Sequence, residues 1–453
     1  VRQKLATQYQ LKGHVVFIYY LQMAMKSLLK TKVTSALMII AIACGIGISM
    51  TALTLNHMTD NNPIAHKNDQ LFSLQLMTVG RENTDGFEDG RYPYQLTYQD
   101  VTNIVRDNPD MKLAPMYKSG FAVRNEAQTS KPFLNSARLT SRHFFNLFDM
   151  PFLHGSTWSQ KADQGGANVV VISEEMNTKI FGGGDNTNKQ LFLDNTLFTI
   201  VGITKTWNPT PKFYDVNNGP FHKAEQFFLP LSLSPIMEIG SWGNNSGWKD
   251  ESINNHQEKL QSEVMWLQFW AQLDTKEEKE AFEQYLTGYI SEQKKLGRFN
   301  RDDAGAALSN VQQWLDLNNV VGDDSSVLVG VSFMFLAVCL VNTIGLLLAK
   351  FLRSAPEVGV RRALGASKGQ VFIQHLIEVS LLGFIGGLLG VVMANLGLYM
   401  LRNEFNGFNV VATMDLTMLF AAPVIAILAT TLAGLYPAWR VCTTLPSVHL
   451  KTQ

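Results

Sequence analysis

At 453 residues the chain exceeds one ordinary domain; 46% of it is hydrophobic, and its 17% charged content falls below the roughly 25% of soluble domains. The formal net charge of +0 excludes the basic or acidic excess that would point to nucleic acid or an acidic macromolecule as partner. Cys44, Cys339 and Cys442 lie in or just after apolar runs, so the large middle region carries no disulfide of its own, which fits a Gram-negative periplasmic domain held by its core.

Residues 1–32 form a cytoplasmic or interfacial segment. Within it, 17–29 (FIYYLQMAMKSLL) mixes aromatic and aliphatic residues with Gln22 and Lys26. This reads as an amphipathic helix, either lying at the inner membrane interface or packed on the cytoplasmic ends of its own spans. A helix crossing the hydrocarbon core needs about 20 mostly apolar residues, and 33–55 supplies them without a charge. That run starts too far from the N-terminus, and lacks the small-residue cleavage site, to be a cleaved signal peptide.

Region 56–324 mixes strand and helix signals and reads as one large α+β domain. ANVVVIS, 167–173, is a β-branched run of the buried-strand type, and 174–180 suits a helix ending at Gly182 to Gly184. QLFLDNTLFTIVGI, 190–203, places two strand-like runs around Asp194-Asn195-Thr196, a hairpin signal. Residues 276–294 carry Phe282, Leu286 and Ile290 on one face of a Glu- and Lys-rich helix. The Pro-, Gly-, Asn- and Trp-rich stretch 208–263 reads as an insertion with long loops, a subdomain of its own being one reading.

Three further spans follow, at 326–349, 376–401 and 416–439, making a four-helix membrane protein with its large domain between the first and second. Lys and Arg favour the cytoplasmic side. Lys12, Lys26, Lys30 and Lys32 precede the first span, Lys350, Arg353, Arg361, Arg362 and Lys368 fill the 350–375 loop, and Arg440 and Lys451 follow the last. Both termini and that loop are therefore expected in the cytoplasm of an inner-membrane protein, with 56–324 and the 402–415 link outside. On the third span, Gly383, Gly386, Gly387, Gly390 and Ala394 make two interleaved ridges of small residues for close helix packing, in this chain or against a second copy. Glu378, costly in lipid, is expected near the inner interface or paired with a cytoplasmic base, and Pro423 is expected to kink the fourth span.

Catalytic motifs are missing from the sequence. No Gly-Lys dipeptide occurs, so no P-loop can, and neither H-E-x-x-H nor G-x-S-x-G is present. The nine histidines are scattered; His143 and His154 are more ordinary as unrelated residues than as metal ligands. No catalytic or metal residue is assigned, and a tethered enzyme is the least favoured reading. The strongest signal is EVGVRRALGASKGQVFIQHLIE, 357–378. Pro356 and Gly359 are expected to break the second span's helix, Gly365-Ala366-Ser367 to turn the chain, and Ser367 to cap the helix that follows. A short helix held there could dock in a groove of a cytoplasmic protein, or serve only as a basic anchor.

This segment resembles the signature of the FtsX/MacB permease family, an E-x-G-x-R-x-A-x-G-A pattern met by Glu357, Gly359, Arg361, Ala363, Gly365 and Ala366. Residues 23–48 are similar to the family's opening helix and first span. Residues 141–158, 167–182 and 188–203 are similar to its periplasmic core. Residues 434–451 resemble its closing G-x-x-P-A pattern, departing where Cys442 stands for the usual alanine. The resemblance implies a permease domain over 325–453 and a coupling helix over 357–370, which takes in Arg362 and Ser367 and touches an ABC ATPase. It implies no cofactor in this chain, with ATP and Mg in the partner ATPase subunit. It further implies a second permease, identical or different, and membrane lipid around the spans. A periplasmic adaptor and outer-membrane channel are expected if the system is an efflux pump. The implied function is mechanotransmission: ATP-driven movement of the outward domain that exports peptides, antibiotics or similar compounds. Lipoprotein release, FtsX-type control of cell-wall hydrolases, or a non-transporting membrane sensor are the alternatives.

Overall fold

The computed structural model describes residues 18–60, 62–81, 91–125, 131–320, 323–404 and 416–443. They divide into two units, one of apolar helices and one spanning the region between the first two spans.

In the helical unit, residues 18–30 form a leading helix and four longer helices follow: Lys32–Asp60, Asp323–Arg353, Lys368–Glu404 and Leu416–Thr443. Each is long and apolar enough to cross a membrane. We refer to them as the first to fourth spans. They overrun the apolar stretches read from the sequence because polar residues at their ends continue the backbone hydrogen bonds. The fourth runs through Pro423 and Pro437 as one helix. A short elbow helix, Ala355–Ala363, joins the second span to the third. Most of the 402–415 link and the tail from 444 on lie outside the described residues.

Tight packing inside this unit rests on glycine. A Cβ on Gly387 would sit 2.8 Å from both Ala426 Cβ and Pro423 Cα, and one on Gly383 would sit 3.0 Å from the Ala426 carbonyl, so this ridge faces the fourth span. On the interleaved ridge, Gly386 and Gly390 would meet Ile42 and Ile46 of the first span at 2.6 and 2.7 Å. The third span therefore lies between the first and fourth spans of the same chain, at distances only glycine allows.

The second unit is built on a mixed sheet of β1 (Leu71–Leu76), β2 (Leu96–Thr97), β3 (Lys112–Asn125), β4 (Phe133–Thr140), β5 (Phe152–Gly155), β6 (Val169–Ser173), β7 (Gln190–Leu193), β8 (Thr196–Thr204), β9 (Phe227–Pro230), β10 (Met265–Gln272) and β11 (Ala306–Asn310). The order along the sheet is β11-β1-β10-β3-β4-β9-β6-β8-β5, with β2 beside β10 and β7 bridging β3 and β8. The β4–β9 and β6–β8 pairs are parallel. β7 and β8 form the hairpin, with Asp194 at its turn in the left-handed region. Both faces of the sheet are covered. Helices Tyr98–Asp107 and Lys276–Lys295 bury Val101, Ile104, Phe282 and Leu286 in one core. Phe144, Phe145, Phe148, Tyr214, Trp270 and Trp314 fill the other with tilted and edge-to-face rings.

Segment 208–263 is not a subdomain. It supplies β9, which lies inside the sheet between β4 and β6, and a buried charge cluster. Arg138 of β4 donates from Nε and Nη2 to Glu225 at 2.9 and 2.8 Å and pairs with Asp215, while Lys212 reaches Glu225 at 3.1 Å. Two cations meet two carboxylates with almost no solvent contact, so the segment is anchored by a neutralised cluster as well as by strand pairing.

Candidate functional site

The residues singled out at 357–367 meet the leading helix and the adjoining ends of the second and third spans. The second span ends at Arg353, and Ser354 turns the chain into the elbow helix. Pro356 and Gly359 do not break the preceding helix; both lie inside the elbow helix. Proline is tolerated there because the amides of a helix's first turn have no intrahelical partner. Ala355, Val358 and Gly359 are buried, and Val358 joins Phe351 and Val371 in the core of the helical unit. Arg361 donates to Gln374 Oε1 at 3.2 Å and Arg362 to the Cys442 carbonyl at 3.2 Å.

The exit turn is over-determined. Gly365 has φ of +104°; its N–H bonds the Arg362 carbonyl, and the Ala366 N–H reaches back to Arg361 at 3.1 Å. That is a Schellman closure, which needs a left-handed residue at this point. Ser367 then starts the third span: the Gln370 N–H donates to Ser367 Oγ at 3.2 Å and the Ser367 N–H to Gln370 Oε1 at 2.9 Å, a capping box. This cap explains why the third helix begins eight residues before the apolar stretch at 376.

Lys30 of the leading helix pairs with Glu357, and this bond holds the Glu357 carboxyl below the usual carboxylate range. Deeper in, Glu378 lies 2.7 Å from Lys350 Nζ, both almost fully buried, and accepts from Ser27 Oγ at 2.6 Å. Lys350 also reaches Ser35 Oγ at 3.4 Å. One carboxylate thus joins the leading helix, the second span and the third. Sequence reading marked Glu378 and the basic loop but left its partners open; Ser27 lies 351 residues away, and no local signal pairs them.

The elbow helix turns its other side outward. Val360 is 50% and Leu364 83% exposed, with Pro356, Ala363 and Ser367 also exposed. Its opposite side packs on the core of the helical unit.

Among the described residues no group of His, Cys, Asp and Glu could hold a metal ion. Neither His143 nor His154 belongs to such a group. The sheet unit carries a cavity of about 500 Å³ lined by Arg91, Tyr92, Tyr94, Asn217 and Phe221 among others.

Four apolar helices with a mixed-sheet domain inserted after the first define a permease-type membrane protein. Residues 35–289 match the family model of the MacB-like periplasmic core domain, and residues 329–446 that of the FtsX-like permease C-terminal domain. The chain belongs to the MacB-like permease family of ABC transporters, and these features point to the inner membrane. The macrolide export ATP-binding/permease protein MacB of Escherichia coli (strain K12) is 22% identical over 92% of this chain and 58% of its own length. The pyoverdine export ATP-binding/permease protein PvdT of Pseudomonas entomophila (strain L48) is 22% identical over 87% of this chain and 54% of its own. The chain thus spans less than two thirds of the curated relatives it matches. The crystal structure of the periplasmic region of MacB from Actinobacillus actinomycetemcomitans covers 55% of this chain and 92% of its own, at 12% identity and a TM-score of 0.35.

Proposed function

We propose that this chain is the permease subunit of a mechanotransmission ABC transporter, with the elbow helix as the element that receives the ATPase. The observation that carries this reading is the uncovered apolar row of Val360 and Leu364 on a helix whose opposite face is clamped to the spans. An exposed apolar face on a short rigid helix suits insertion into a protein groove, and a clamped helix passes a push to the spans instead of rocking locally. The Lys and Arg asymmetry supports a cytoplasmic position for this helix and for both termini. ATP and Mg are bound by the ATPase partner. The transporter contains a second permease copy, identical or different, and takes a periplasmic adaptor and outer-membrane channel if it is an efflux system.

The substrate reading is export of peptides, antibiotics or similar compounds, in keeping with relatives named for macrolide and pyoverdine export. The cavity in the sheet unit, with Tyr92, Tyr94 and Phe221 beside amides, supplies the mixed lining such compounds need. Pull-down of tagged chain from detergent-solubilised membranes tests the coupling. A P-loop ATPase should co-purify with the intact chain and be lost from Val360→Asp/Leu364→Asp and from a Gly359/Arg361 variant, while elution stays monodisperse. Retention by the Asp variant removes the elbow helix from the interface. Absence of any ATPase from the intact chain overturns the permease reading and favours a membrane sensor.

A further inference from the structure

A second cavity, of about 260 Å³, opens in the helical unit between the leading helix, the elbow helix and the facing ends of the second and third spans. Five basic side chains line it: Lys26, Lys30, Lys350, Arg353 and Arg361. Two carboxylates do, Glu357 and Glu378, and each is already paired, with Lys30 and Lys350. Lys26, Arg353 and Arg361 have no carboxylate within ion-pair distance among the described residues. The cavity is therefore left with three uncompensated cations.

A separate observation also points to a ligand. His375 lines the same cavity at 4% exposure, and its Nε2 has no hydrogen-bond partner. Its ring is fixed against Phe351, with centroids 4.2 Å apart, and its Nδ1 faces Glu378 at 3.5 Å. A buried ring nitrogen left unpaired costs free energy unless something fills the position. With Nδ1–H turned to the Glu378 carboxylate, Nε2 is left as an acceptor for a hydroxyl donor.

We propose that this cavity binds the headgroup of an anionic phospholipid such as phosphatidylglycerol, with Lys26, Arg353 and Arg361 supplying charge for the phosphate and His375 Nε2 accepting from a headgroup hydroxyl. A lipid fits better than a free anion because the cavity opens beside apolar surface that is exposed among the described residues. On the leading helix Ala24 and Leu28 are buried in the bundle, whereas Ile18, Tyr19, Met25 and Leu29 are exposed, as is Leu352 beside Arg353. Acyl chains lie along that surface while the headgroup enters between the bases, the arrangement of a basic pocket at the cytoplasmic leaflet. The bound lipid would rest on the helix pair that holds Glu357, so lipid composition would bias the stiffness of the elbow.

The inference rests on the inward orientation of the elbow helix but not on an ATPase, so a binding measurement separates the two. The intact chain is reconstituted in nanodiscs of phosphatidylcholine with or without phosphatidylglycerol, extracted gently, and the retained lipid is counted by native mass spectrometry. Phosphatidylglycerol should be retained, and retention should fall about fivefold for each basic residue removed in Lys26→Gln/Arg353→Gln. Lys368→Gln/Arg440→Gln, with the same charge loss outside the cavity, should retain it. His375→Phe keeps the ring and its packing and should weaken retention without lowering the melting temperature in detergent. Equal loss in both double variants would reduce the effect to general surface charge and overturn the site. Release of the lipid by inorganic phosphate at low concentration would assign the pocket to a free anion, and equal retention of phosphatidylcholine would overturn the proposal.

Discussion

In the sheet domain, Arg138, Lys212, Asp215 and Glu225 close on one another as two positive and two negative charges, with Tyr214 donating to Glu225 at 3.1 Å and packing its ring under the Arg138 guanidinium. At the ends of the spans, Lys350 and Glu378 are equally buried, but they form one wall of a cavity whose other charges are mostly positive. The first cluster is self-contained: its charges cancel, and it ties a loop-rich segment to β4. The second joins three separate helices through one carboxylate and leaves charge over for something outside the chain. Burial alone does not distinguish a structural ion cluster from a functional one; the charge balance and the open side do.

The largest effect should come from breaking the closed cluster. Arg138→Met leaves two buried carboxylates with only Lys212 between them and should cost about 3–5 kcal/mol, read as a lower urea midpoint by tryptophan fluorescence, since seven of the eight tryptophans precede residue 320. The same cluster sets an acid limit. Burial opposes ionisation of Glu225, but the charges of Arg138 and Lys212 outweigh it and hold the carboxyl below its usual range. A depressed folded pKa contributes stability that is complete above the unfolded glutamate value near 4.3 and lost as pH falls toward the folded one. The urea midpoint should therefore drop between about pH 5 and pH 3 in the intact protein, and by less in Arg138→Met.

A smaller effect is expected at the open cluster. Glu378→Ala leaves Lys350 unpaired but next to a cavity that water can enter, and should cost about 1–3 kcal/mol. Thermal unfolding in detergent should show this on the helical unit while tryptophan fluorescence of the sheet domain is unchanged. A loss as large as that of Arg138→Met would mean that the cavity gives Lys350 no relief and that the two clusters do not differ. The smallest effect is at the elbow itself. Ser367→Ala removes the cap of the third span and should cost about 1 kcal/mol, seen as faster amide exchange at residues 368–371.

Much of the architecture was legible because its signals are local. Four uncharged or nearly uncharged runs announce spans, and 167–173, 190–203 and 276–294 carry strand, hairpin and helix periodicities that the structure repeats within a residue or two. β9 was not legible: four residues among prolines, glycines and asparagines carry too little periodicity, and their strand state comes from pairing with β4 and β6. At the elbow, Ser367 could be read as a cap because capping spans three residues. Which side of the Ala355–Ala363 helix stays bare could not, because that depends on what packs beneath it.

By itself the sequence determined the spans, the Lys and Arg asymmetry, the turn at Gly365 and the glycine ridges of the third span, since each is fixed by residues within a few positions of one another. Only the tertiary structure decided which helix each ridge meets, that Glu378 pairs with Lys350 and Ser27, and that Arg138 neutralises a segment some 80 residues away. Those contacts are specified by the burial of whole faces and by the need to compensate charge removed from water, and neither is visible until the chain has closed on itself.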